Sequence, residues 1–188
     1  MKANTISRCP WCGNDPLYTK YHDEEWGIEV TDEKMLFEFL VLESAQAGLS
    51  WITILKRREG YRDAFANFDV NAVAKFTAAD IENIVSNPNV IRHSGKIEAT
   101  VNNAKIFISI QQEFGSFYNY LYTFMPNSKP ITNSIIDIKN APTTTKESDA
   151  IAKDLKKRGI KFFGSTICYA YMQAVGMVND HINTCSFK

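Results

Sequence analysis

No apolar run in the 188-residue sequence is long enough to cross a bilayer, and none follows the lone lysine of the opening MKANTISRCPWC to form a secretory leader. The first absence argues against a membrane protein. The second predicts a cytoplasmic one. An excess of charge is missing too, since 21 Lys and Arg balance 21 Asp and Glu. No global field attracts a polyanion, so any binding to nucleic acid must rest on local patches or oriented backbone dipoles. Internal repeats and low-complexity tracts are absent, and strand-like alternation is scarce. What remains is a nearly all-helical pattern in a chain of one-domain length, with 45% apolar and 22% charged residues.

The helix signals are local. Thr31 or Asp32 can cap a helix through LFEFLVLESAQA that stops at Gly48, and Ser50 can cap a second, WITILKRRE, that stops at Gly60. Asp69 precedes DVNAVAKF, and Thr77 with Asp80 three residues later opens AADIENIVS. Asn87-Pro88-Asn89 breaks the pattern. A long helix is expected from Lys96 to Phe114, and a shorter aromatic one around FYNYLYTFM. Residues 126–145 hold three of the six prolines and read as a loop. SDAIAKDLKKRG and STICYAYMQAVG then give two helices ending at Gly159 and Gly176.

Cysteine is sparse, at four residues, and in a reducing compartment these are thiols or metal ligands rather than disulfides. His181 and Cys185 stand in H-x3-C spacing, which suits one ion. At the other end two pairings compete, Cys9 with Cys12 and Cys9 with His22. Either one completes four protein ligands, which leaves no place for an activated water and makes a zinc structural. The plain alternative is buried thiols beside an ordinary histidine. A redox C-x2-C would need to end a strand in a βαβ unit, and no such unit surrounds this one. Cys168 lies in an apolar helix and reads as core, and His93 in the turn RHSGK faces solvent or phosphate.

Four blocks, RCPWCGNDPLYTKYHDEEWG, LESAQAGLSWITILKRRE, IRHSGKIEA and KRGIKFFGSTICYAYMQAVGMVNDH, together resemble the DNA-3-methyladenine glycosylase I family from about Arg8 to Cys185. The resemblance implies an all-α, helix-hairpin-helix glycosylase fold with a zinc-binding region that joins the N- and C-termini. It implies one unit over residues 1–188, with about 1–30 and 165–188 in the zinc region and about 31–125 in the helix-hairpin-helix core. Its ligand pattern falls on Cys9, His22, His181 and Cys185 and leaves Cys12 as an extra. Ile28-Glu29 departs from the family's usual glycine-x-proline at a surface turn.

The implied activity is base-excision repair: flipping 3-methyladenine out of double-stranded alkylated DNA and hydrolysing its glycosidic bond. N3-alkylated adenine is cationic and already a good leaving group, so the enzyme must chiefly recognise it, with electron-rich faces and a carboxylate in a partly dry pocket. The resemblance assigns Glu43 to the amine edge of the base and as the catalytic group, Trp51 to stacking, and Tyr18 and Tyr21 to the pocket, with Trp11 and Trp26 close by. Taken singly, each residue also fits an ordinary surface, rim or core role. Glu43 stands out because it lies among Leu40, Leu42 and Ala45. Gly48 and Leu49 form a candidate wedge for the gap left by the flipped base. The turn Arg92, His93, Ser94, Gly95 and Lys96 is the candidate phosphate site, with Lys56, Arg57, Arg58 and Lys161 as further contacts. No lysine stands out as a Schiff-base nucleophile, so a monofunctional, monomeric glycosylase without lyase activity is expected. Two rival readings are a non-catalytic, zinc-stabilised DNA-damage-binding module and a zinc hydrolase.

Overall fold

The structure is a computed structural model and describes residues 6–188. Among these residues ten α-helices and one two-stranded sheet are present. None of the helices is long and apolar enough to cross a membrane. Helix α1 (Pro16–Glu24) begins with a proline at its first position, and the Asp15 carboxylate accepts from the amides of Leu17 and Tyr18. Helix α2 (Glu33–Gln46) is capped by Asp32, whose side chain accepts from Met35 N. Every residue from Leu36 to Ala45 in α2 is buried, so this helix is the axis of the core. Two of those buried residues, Glu38 and Glu43, are acids.

The expected helix from Ser50 to Gly60 is two helices, α3 (Trp51–Leu55) and α4 (Arg58–Ala64), broken at Lys56-Arg57. Gly60 does not end the second one. It serves close approach instead, because a Cβ there would collide with the Asn89 carbonyl oxygen. Helices α5 (Val70–Val73) and α6 (Ala78–Ser86) follow, the latter with the Thr77–Asp80 capping box formed in both directions. The long helix α7 (Ser94–Phe114) starts at a His93 cap and stops at Gly115 in the left-handed region. Helices α8 (Phe117–Tyr122), α9 (Lys146–Arg158) and α10 (Ser165–Ala174) complete the set.

The segment 126–145 is more ordered than its composition predicts. Strand β1 (Ile131–Thr132) pairs in parallel with β2 (Val178–Asn179), and Ile135 bridges Ile182. Two-residue strands are too short to show a period in sequence. Near the termini, Ser186 N donates to the Ser7 carbonyl at 2.9 Å and Arg8 makes a forked pair with Asp23, so the first and last described segments lie together.

Arg58 corrects its sequence assignment as a DNA contact. It is buried, and its guanidinium donates to Glu38 at 2.6 Å and to Glu25 at 2.7 Å while lying 5.1 Å above the Phe39 ring. Arg62 adds a second pair to Glu38. The network ties the end of α1 and the start of α4 to the middle of α2. Replacing one member leaves the others buried and underpaired, so Arg58→Met is expected to destabilise the fold by about 3 kcal/mol, read as a lower urea midpoint at unchanged slope.

Candidate functional site

Glu43 lies beyond Glu38 on the same buried helix, yet no arginine among the described residues reaches it. The residue is 3% exposed, and one carboxyl oxygen, Oε2, is buried with no hydrogen-bond partner among the described residues. Burial alone pushes its pKa from 4.5 up to about 8. An unpaired acid in a core helix is costly, and it points to a ligand that completes the site.

A cavity of about 250 Å³ opens at this carboxyl, small beside a drug-sized pocket and suited to a single base. Trp11, Tyr18, Tyr21, Trp26 and Trp51 line it, so all five sequence-assigned aromatic residues converge with Glu43. Tyr18 and Tyr21 come from one side of α1, and Trp51 opens α3. The rings brace one another: Trp11 sits 5.0 Å from Tyr18 and 4.9 Å from Trp26, and Tyr21 sits 5.4 Å from Trp51, centroid to centroid. The indole nitrogens of Trp11 and Trp51 are buried and likewise without partners among the described residues. Burial also raises the pKa of the Tyr18 and Tyr21 hydroxyls, which keeps both as neutral donors. Gln46, Ile138, Ala170 and Gln173 complete the lining. Sequence reasoning passed over these four, and only Gln46, inside the LESAQAGLSW block, carried a local signal.

Gly48, at φ +85°, turns the chain out of α2, and Leu49 is 40% exposed between two cavity residues, Gln46 and Trp51. Arg92, His93 and Ser94 lie at the start of α7, the first two of them exposed before the helix begins. The His93 ring accepts from Lys96 N at 3.2 Å, and Gly95 leaves room for that ring. Lys96 is turned inward. Its ammonium donates to the carbonyls of Ala45 and Ala47 at 2.9 Å each, at the end of α2, so it braces the Gly48–Leu49 turn. A second corner lies beside this one. Helices α9 and α10 pack together through a turn with glycines at 159 and 164, and Phe162 in it packs edge-on against the His93 ring, with 5.9 Å between centroids. Asn103 holds that turn by bonding both N and O of Lys161, and Lys153, Lys156 and Lys161 line the adjoining groove.

Behind the aromatic wall, Cys9, His22, His181 and Cys185 are all buried, with their ligand atoms within 4.8 Å of one another. The donor set fits a metal ion. His22 Nδ1 lies 2.7 Å from Asp23 Oδ1, which directs Nε2 inward, and His181 Nε2 lies 3.0 Å from the Trp26 carbonyl, which directs Nδ1 inward. His181 Nδ1 lies beside both sulfurs, and His22 Nε2 lies beside Cys185 Sγ and accepts from Cys9 N at 3.2 Å. Without an ion, burial would hold the Cys9 thiol up at about 12. Cys12 stands outside the group and donates to the Cys9 carbonyl at 3.1 Å, so of the two competing pairings the one brought together with His181 and Cys185 is Cys9 with His22. The cluster also supports the cavity, since Trp26 lies 4.7 Å from His181 and Trp11 5.2 Å from His22.

Residues 11–188 match the methyladenine glycosylase family. The chain is 48% identical over 182 residues to the DNA-3-methyladenine glycosylase of Haemophilus influenzae, covering 97% of this chain and 98% of that protein. It is 47% identical to DNA-3-methyladenine glycosylase 1 of Escherichia coli, covering 96% of each. A single-residue variant of 3-methyladenine DNA glycosylase I, solved in complex with 3-methyladenine, superposes on this fold with a TM-score of 0.93, at 37% identity over 97% of this chain and 98% of that one. With the match running almost from end to end and close to half of all positions shared with two relatives over their full length, the chain belongs to the methyladenine glycosylase family.

Proposed function

We propose that the protein is a monofunctional DNA glycosylase that removes 3-methyladenine from alkylated double-stranded DNA. The observation that carries this reading is the buried, unpaired carboxyl of Glu43 inside a base-sized aromatic cavity. A positively charged purine stacks on Trp51 and places its amine edge at Glu43, and the carboxylate favours the cation over neutral adenine. The C1′–N9 bond then breaks with its electron pair going to the base, which leaves neutral, and water adds to the cationic sugar carbon and gives up one proton to solvent. No lysine is among the residues that line the cavity, in keeping with hydrolysis rather than lyase chemistry.

Leu49 fills the gap left by the flipped nucleotide, and the start of α7 with the neighbouring Lys161 turn holds the backbone phosphates. The ion at the terminal cluster is zinc. Tetrahedral zinc with sulfur at about 2.3 Å and nitrogen at about 2.0 Å sets S···N edges of about 3.5 Å. Three of the four S···N separations are 3.5, 3.6 and 3.3 Å, and the fourth lies within 4.8 Å. Four protein ligands leave no open position, so the metal orders the fold and takes no part in the hydrolysis.

Incubation with methylated DNA, followed by chromatography of the supernatant, tests the activity. The wild-type protein is expected to free 3-methyladenine, and Trp51→Ala to slow that release by about 10- to 100-fold, the range for loss of one base–aromatic stack. A damage-binding module would retain the base on the DNA, and that result would overturn the assignment.

A further inference from the structure

Gln173 is the one cavity amide whose polarity the surroundings dictate. It lies one turn beyond Ala170 on α10, and both residues line the cavity. Its Nε2 donates to Asp180 Oδ2 at 2.8 Å. Asp180 is fully buried and also accepts from the Tyr169 hydroxyl and from Asn133 Nδ2, each at 2.7 Å. A carboxylate held by three donors has no use for an amide oxygen, so the Gln173 side chain cannot turn over. Its Oε1 makes no hydrogen bond with any described residue.

Glu43 and Gln173 both line the cavity, and with Nε2 committed to Asp180 the free hydrogen-bonding atom of the Gln173 amide is its acceptor oxygen, while the exocyclic amine of an adenine carries two N–H donors. A guanine presents a keto oxygen at the same place, which faces an acceptor as a repulsive contact. We propose that Gln173, oriented by Asp180, accepts one proton of the exocyclic amine and so sets the preference for adenine-type over guanine-type methylated purines. This inference rests on the glycosylase reading and adds to it a specificity-determining residue, Gln173, and a positioning residue, Asp180.

Methylated DNA carries both 3-methyladenine and 3-methylguanine, so one substrate reports both release rates. For Gln173→Met the ratio of the two rates is expected to fall by roughly tenfold. A merely structural role would slow both releases alike and leave the ratio unchanged, and that result overturns the proposal. Failure of the glycosylase reading looks different, because the wild-type protein would then release neither base. The orientation is tested in the unmodified protein, since Asp180 adjoins the metal ligand His181. In 15N-labelled wild-type protein one Nε2 proton of Gln173 should be protected from solvent exchange, and equal, fast exchange of both protons would remove Asp180 from the scheme.

Discussion

Glu43→Gln is expected to lower the rate of base release by roughly 10²- to 10³-fold, the cost of losing one preorganised electrostatic partner, while the fold and the metal content stay intact. The amide keeps the shape of the side chain and one acceptor oxygen, but it turns the other oxygen into an N–H donor and cannot carry the charge. Charge is what separates the damaged base from adenine. In the ligand-free cavity, burial holds the carboxyl at about 8, so it is protonated at neutral pH and gives up its proton when a cation enters. Binding of the cationic base should therefore release a proton and weaken as pH falls.

The same shift gives the Glu43→Gln variant a second signature. A carboxyl whose pKa is raised in the folded state contributes stability that is complete below pH 4.5 and lost as pH rises through about 8. Near pH 5 the wild-type protein and the variant should melt alike. At pH 9 the variant should melt higher, by about 2 to 4 °C for each kcal/mol recovered in a chain of this size. Activity and stability thus move in opposite directions at one residue. Retention of the wild-type rate, or a pH 9 melting temperature no higher than the wild type's, would falsify the account of the cavity.

Removal of the metal should unfold the protein rather than merely silence it. Cys9 and His22 sit near one end of the sequence and His181 and Cys185 near the other, with all four buried behind Trp11 and Trp26. A strong chelator at neutral pH, or Cys185→Ala, is expected to lower the melting temperature by at least about 10 °C, because structural metal binding contributes several kcal/mol to such folds. Quenching of the tryptophans should change in the same experiment, since Trp11 and Trp26 lean on the imidazoles of His22 and His181. Metal analysis by atomic absorption should give one zinc per chain. A folded, inactive apoprotein would instead mark a catalytic ion and revive the hydrolase alternative.

The helix ends were legible because their signals are local. Asp32 before Glu33, the Thr77–Asp80 box and the left-handed Gly159 all act within a few residues of themselves. Gly60 misled because a glycine needed for contact with Asn89 looks the same in sequence as one that ends a helix. The ladder of Ile131 with Val178 was invisible for a related reason, since its partners are distant in the chain and each strand is only two residues long.

By itself the sequence determined a helical chain of balanced charge, and its resemblance to a family named a candidate pocket around Glu43 and a candidate metal set drawn from both ends. Only the tertiary structure decided which acid stays bare. Glu38 and Glu43 share one buried helix, but Arg58 and Arg62 arrive from α4 to neutralise the first, and no described residue arrives for Oε2 of the second. It also decided that Arg58 and Lys96 face inward and that Gln173 has one fixed polarity. The physical reason is common to all of these. A side chain's charge state and orientation depend on its partners across space, and those partners are brought together only by packing.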